Sequence, residues 1–228
     1  MTTGAAAGTP GGDAPPAAPA VLLATRNAHK LGELRRILAE ALAAAGAAPD
    51  ALRILSLDDV PPFPEAPETG ATFADNALVK AREACARTGV PAIADDSGIA
   101  VDALNGMPGV LSARWAGAAR SDQANLRLLL EQAADVPDER RGAQFVCAAA
   151  LVLPDGREEV VDGVMPGVLL RAPRGAEGFG YDPIFQADGQ DRSNGELTAA
   201  QKDAISHRGL ALRALAPRIV AALLPVGG

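Results

Sequence analysis

Two adjacent carboxylates, Asp95 and Asp96, followed by the hydroxyl of Ser97 and by Gly98, stand at the end of a short apolar run that begins at Pro91. An acidic pair at a strand end suits a hard divalent cation, because magnesium takes oxygen ligands and keeps several positions for water or substrate phosphate. Successive side chains on a strand point to opposite faces, so the two acids share a direction only if the strand stops there. Otherwise one faces a cleft and the other is structural. Each of the four residue types also favours a turn for its own reason, so the stretch alone reads more readily as a turn than as a site.

A second group of chemistry-bearing residues is Thr25-Arg26-Asn27-Ala28-His29-Lys30. Asn27 is a good helix N-cap, and a helix start offers free N–H groups and a positive dipole end to an anion. Thr25, Arg26, His29 and Lys30 surround that end, although the same residues would serve an ordinary capped surface helix. A third is Gly178-Phe179-Gly180-Tyr181-Asp182-Pro183, which places two rings in a glycine-punctuated loop of a chain with just five Phe and one Tyr. Such rings either stack a flat ligand or tuck into the core. A fourth is Lys202 with His207 and Arg208. Lysine in a helix's first turn opposes the dipole, which suggests service to an anion, and His207 is one of only two histidines.

The elements that must position these groups follow from periodicity. Val21–Thr25 reads as a buried strand running into a helix with Leu31, Leu34, Leu38, Ala41, Leu42 and Ala45 at helical spacing. Leu52–Leu57 reads as a second strand, and Asp58–Gly70 as an exposed Pro-rich loop ending in Glu68. Thr72 and Asp75 make a near capping box for a helix with an Ala-rich face, closed by Gly89. Asn76 and Lys80 lie one turn apart on it. The acidic strand follows, then an extended segment from Ile99, a turn at Asn105–Gly109, a loop at Ser112–Gly117, and a helix that Asp122 can cap. Arg141–Leu153 and Arg157–Leu170, joined by Pro154-Asp155-Gly156, form a long hairpin that could make a separate lobe. Thr198 and Gln201 cap the last helical region. The fold class is therefore α/β: an elongated mixed sheet with flanking helices, a second lobe containing the hairpin, and a cleft between the lobes.

Composition narrows the partners. The 228 residues are 48% hydrophobic and only 3% aromatic, and the net charge of −7 argues against a general polyanion-binding surface. Cys85 and Cys147 have no metal or redox spacing and read as reduced packing residues. Residues 1–20, almost wholly Ala, Gly, Pro and Thr, read as a disordered tail, leaving 21–228 as a single domain. With no signal peptide and no membrane span, the expected setting is cytoplasmic.

Acids for a metal, a cationic helix start for phosphates, rings for a base and a His-Arg pair for polar edges describe a nucleoside polyphosphate site. Across Val21 to about Leu215 the chain resembles the Ham1-like inosine triphosphate pyrophosphatase family. The resemblance rests on Leu23–Lys30, Glu68–Phe73 with Asn76–Lys80, Ile93–Gly98, Gly178–Pro183, and Lys202 with Ser206–Arg208. It implies a two-lobed homodimer that uses Mg2+ to cut the α–β phosphoanhydride of non-standard purine nucleoside triphosphates (ITP, dITP, XTP). The monophosphate and pyrophosphate are the products. It further implies Asp96 as proton acceptor and metal ligand, and Glu68 as a second metal ligand. Thr25, Asn27 and Lys30 would lie at the phosphates and Ser97 on substrate, with Phe179, Gly180, Tyr181, Asp182, Lys202, His207 and Arg208 around the base. Asp95 is left a supporting role. Arg26, Gln201 and Asp203 depart from residues common at those positions. Two alternatives remain open: a house-cleaning pyrophosphatase for modified pyrimidine or broad nucleotide substrates, and a nucleotide-binding module without catalysis.

Overall fold

The computed structural model describes residues 18–224 apart from residue 65, so most of the expected N-terminal tail lies outside the described residues. Seven strands form one mixed sheet in the order β2-β1-β3-β5-β6-β7, with β4 paired to β3. Strand β1 (Ala20–Leu23) lies parallel to β2 (Arg53–Leu55) and to β3 (Ala92–Val101). Strand β4 (Met107–Pro108), the hairpin strands β5 (Gly142–Val152) and β6 (Glu158–Leu169), and β7 (Phe185–Ala187) add in antiparallel fashion.

Helices cover both faces of the first half of the sheet, because its strands are apolar on both sides. On one face α1 (Ala28–Ala44) and α5 (His207–Leu223) bury Leu34, Leu38, Leu212, Leu215 and Ile219 against Val21, Leu23, Ile93 and Leu151. On the other, α2 (Phe73–Thr88) lays Ala77, Ala81, Ala84 and Cys85 on Leu22, Ala92, Ala94, Ala148 and Ala150. Small residues on both sides let this helix approach closely, and a core of this kind needs few rings. A third cluster, on the far halves of β3, β5 and β6, gathers Ile99, Phe145, Met165, Tyr181 and Phe185 with Leu129 of α3 (Asp122–Gln132). The hairpin runs through both lobes, since β5 pairs β3 from Ala92↔Val152 to Val101↔Ala143.

Several local expectations change. The acidic strand does not stop at its carboxylates: Asp95 and Asp96 sit in mid-strand, opposite Ala149 and Ala148. The turn reading of this stretch is thereby excluded. Full-length pairing with β5 holds the backbone extended despite the turn-favouring residue types. Ser121, not Asp122, caps α3, its side chain accepting from the Ala124 N–H. Gly109–Arg114 is a short 3-10 helix where a loop was expected. The last helical region breaks at Ser206 into α4 (Ala199–Ile205) and α5, because Ser206 takes an extended conformation and caps α5 through the Gly209 N–H. Both cysteines are buried thiols. Among the described residues no helix is long and apolar enough to cross a membrane.

Candidate active site

The site is built on a gap in the sheet. Strand β1 ends opposite Ile93, with the Ala24 N–H on the Ile93 carbonyl, and β4 meets β3 only from Ala100 onward. Between them the edge of β3 carries no neighbouring strand, so carboxylates on opposite faces can both be approached around it. Strand alternation sends Asp95 to the α1/α5 face, with Ile93 and Cys147, and Asp96 to the α2 face, with Ala94 and Ala148.

Each acid meets its own cations. The Asp95 carboxylate accepts from Lys30 Nζ at 2.7 Å and from Arg208 Nε at 3.2 Å. Its burial opposes ionisation, but Lys30 and Arg208 outweigh that and hold it well below the usual carboxylate range. Asp96 accepts from Lys80 Nζ at 2.9 Å on one oxygen and from Asn76 Nδ2 at 3.0 Å on the other. The i, i+4 spacing of Asn76 and Lys80 on α2 brings both to one carboxylate. Burial lowers the Lys80 pKa and Asp96 with Glu68 more than offset it, leaving the ammonium above its ordinary value.

Asn76 also fixes the acidic loop, because its Oδ1 accepts the Gly70 N–H at 2.7 Å. Glu68 thereby lies against the same ammonium, 3.3 Å from Lys80 Nζ. Two carboxylates from separate elements thus converge on one cation, which is the arrangement a divalent ion would share. Among the described residues no three His, Cys, Asp or Glu side chains cluster as a metal cage. Two oxygen donors, of which Glu68 lines the cavity that also holds Lys30, fit magnesium, which fills its remaining positions from water and substrate.

The cationic helix start forms as expected. Asn27 Oδ1 accepts the N–H groups of His29 and Lys30, and Thr25 Oγ1 accepts that of Asn27. Thr25, Arg26 and Lys30 share a cavity with Glu68, Lys80 and Asp95. A wider cavity joins Asn27, Ala28, His29 and Lys30 to Phe179, Lys202, His207 and Arg208. From there a third one, lined by Ser97, Gly98, Phe145 and Phe179–Asp182, continues into the second lobe.

In that third cavity the two rings of the glycine loop part company. Phe179 is 63% exposed, with Lys202 Nζ 4.5 Å from its ring centre, a cation–π contact. Tyr181 is buried, and its hydroxyl donates to the Ser112 carbonyl at 2.8 Å. Asp182, also buried, accepts the Phe179 N–H at 2.8 Å and pairs with Lys202, so its carboxylate holds the loop. Gly180, at φ +60°, gives its N–H to Asp122. His207 stacks on Phe145 with ring centres 5.0 Å apart, and its buried Nδ1 has no hydrogen-bond partner among the described residues. Arg208 donates to Asp95 through its Nε.

Burial, with Arg208 and Lys202 adding to it, pushes the His207 imidazole down to about 3. A histidine ordinarily titrates near ~6.5, so the folded state disfavours its protonation relative to the unfolded chain. That stability is complete above the unfolded value and is lost as pH falls toward 3. His207→Gln should flatten the pH dependence of urea-unfolding free energy between about pH 4 and 6 by about 1 kcal/mol per pH unit. An unchanged slope would show that His207 does not carry this term.

Every expected site residue except Asp96 lines one of these three cavities; Asp96 meets the first of them through Lys80, which lines it. Local sequence points to no site role for Asn76, Lys80, Ser112 or Arg114, and to a helix cap alone for Asp122. The spacing of Asn76 and Lys80 was visible, but nothing local tied either to Asp96, which lies in another element. Glu33 of α1, buried with one carboxylate oxygen unpartnered beside Arg208 and Asp203, was also passed over.

A family model described as the Ham1 family matches residues 21–218. A dITP/XTP pyrophosphatase of Nocardia farcinica is 61% identical over 201 residues, covering 88% of this chain and 95% of that protein. One of Streptomyces coelicolor is 57% identical over 197 residues, covering 86% and 95%. Among solved structures, the nucleoside-triphosphatase (dITP/XTP pyrophosphatase) of Mycobacterium abscessus superposes with a TM-score of 0.71 at 53% identity, covering 91% of this chain and 100% of that one. The Ham1 protein of Staphylococcus aureus superposes with a TM-score of 0.79 at 33% identity, covering 89% and 99%.

Proposed function

The chain belongs to the Ham1 family, and from that premise we propose that it hydrolyses dITP, ITP and XTP to the monophosphate and pyrophosphate, with magnesium held by Glu68 and Asp96. It is a nucleoside triphosphate pyrophosphatase. The observation that carries the residue assignment is the convergence of Glu68 and Asp96 on Lys80 Nζ, beside the cationic start of α1.

In this reading Asp96 accepts a proton from the attacking water. Asn76 and Lys80 each take one lone pair of its carboxylate and fix its orientation, leaving further acceptor capacity on both oxygens. Magnesium, when bound, supplies charge stabilisation at the scissile phosphate and a more acidic water. Lys30, Lys80 and the first turn of α1 stabilise the charge that develops on the phosphates. Phe179 stacks the base. A donor presented from the His207/Arg208 side donates to the 6-keto oxygen of hypoxanthine or xanthine and confronts the 6-amino group of adenine with a second donor, which is a strong basis for rejection.

The family resemblance also implies a homodimer in the cytoplasm. Val164 and Val168, at 41% and 39% exposure, project from β6 on the face opposite the buried Met165 and Leu169 and give a second copy an apolar strip to cover.

The test is a panel of inosine, deoxyinosine, xanthosine, adenosine and guanosine triphosphates, incubated with and without magnesium, with the released phosphate species identified. The expected result is magnesium-dependent pyrophosphate from the first three. Orthophosphate as product, or binding without turnover, would overturn the reading.

A further inference from the structure

The 3-10 segment Gly109–Arg114 closes the Gly98–Ile99 end of the gap in the sheet edge and reaches from the base-side cavity to Glu68. Ser112 Oγ accepts the Ile99 N–H at 3.0 Å and donates to the Gly109 carbonyl at 2.6 Å, which seats the segment directly on β3. A side chain at Gly98 would stand 2.3 Å from Ser112 Oγ, so only glycine permits this seat. Ser112 and Ala113 line the base-side cavity, and the Ser112 carbonyl holds the Tyr181 hydroxyl. Two residues on, Arg114 turns to the acidic loop. Its Nη1 lies 3.2 Å from Glu68 Oε2, and its Nη2 donates to the Glu68 main-chain carbonyl at 3.1 Å.

We propose that Arg114 is a positioning residue that orients Glu68 for the divalent metal, from a segment anchored in the wall of the base cavity. This rests on the metal-dependent reading above. The guanidinium grips one carboxylate oxygen and the main chain of the same residue, a two-point hold that fixes side chain and backbone together. The other carboxylate oxygen is thereby turned toward Lys80 and Asp96. Arg120 also approaches Glu68 Oε2, but at 3.7 Å from a side chain that is 60% exposed, where an ion pair contributes little.

Charge and orientation predict opposite signs. Removing a cation beside a metal ligand would by itself strengthen cation binding, whereas losing the hold on Glu68 weakens it. Manganese(II) binding is therefore measured by electron paramagnetic resonance with the α,β-methylene analogue of inosine triphosphate, on the unmodified chain, Arg114→Gln and Arg114→Lys. The expected result for Arg114→Gln is an increase in the manganese dissociation constant of about 10-fold or more, the usual scale for residues that orient a metal ligand. Arg114→Lys keeps the charge but not the fork and falls between, and it carries the comparison if the Gln variant does not fold. Inosine monophosphate affinity in chelator stays unchanged in both.

An unchanged or lower manganese dissociation constant in the variants, or an equal loss of monophosphate affinity, overturns the assignment of Arg114. Failure of the unmodified chain to bind manganese(II) overturns the metal reading itself, and the two failures are read separately because neither depends on turnover.

Discussion

Asp96→Asn should lower kcat for inosine triphosphate by about 10²–10⁴-fold, the usual span for loss of a general base, while nucleotide binding persists. The substitution keeps the shape of the side chain and removes the charge that takes up the proton. Asparagine can still accept from Lys80, but its amide then faces the Asn76 amide, so two donors meet where donor and acceptor met before. Binding survives because the base cavity and the α1 helix start draw on other residues. The check pairs pyrophosphate release with equilibrium binding of the α,β-methylene analogue. Full turnover in the variant would remove Asp96 from the chemistry.

The second large effect concerns stability. Asp95→Ala should destabilise the fold by about 3–5 kcal/mol, because it strands Lys30 and Arg208 without their shared counter-ion. The Asp95 side chain is only 4% exposed and those of Lys30 and Arg208 are 21% and 14% exposed, so water replaces the lost partner poorly. The pH dependence has a definite sign. Because the folded state depresses the Asp95 pKa, its contribution is complete above the unfolded carboxylate value near ~3.9 and is lost as pH falls through the folded value. The variant should therefore lose part of the acid sensitivity below about pH 4 along with the stability. Urea unfolding at neutral and acid pH measures both, and a neutral-pH change under about 1 kcal/mol would show that the two cations find other partners.

Asp95 and Asp96 also mark the limit of what local sequence can decide. Their residue types fit a turn as well as a metal-binding strand end, and the chain forms neither. Strand β3 continues for ten residues because β5 pairs with it along its whole length, and that pairing lies more than forty residues away in sequence. The Asn27 cap, the Thr72–Asp75 capping box, the Gly89 closure and the hairpin at Pro154–Gly156 were legible because each is set by residues within a few positions of one another. Tyr181 and Phe179 share one loop and one residue class, yet one is buried under Ser112 and the other stands open. The core cluster of the second lobe and the Ser112 carbonyl, both from distant elements, take in Tyr181 and leave Phe179 out.

The sequence by itself determined the α/β class, the capped helix starts, the family resemblance and the set of residues able to meet a nucleotide, since periodicity, caps and short motifs are local properties. Tertiary structure alone decided the division of labour within that set. Strand alternation sent the adjacent acids to opposite faces, Asp95 to the cations of α1 and α5, and Asp96 to Asn76 and Lys80 of α2. The early end of β1 left the edge between them open, and Arg114, from the segment seated at Ile99, reached Glu68. Which charge meets which depends on distances between elements, and those are fixed only when the sheet closes and its faces are covered.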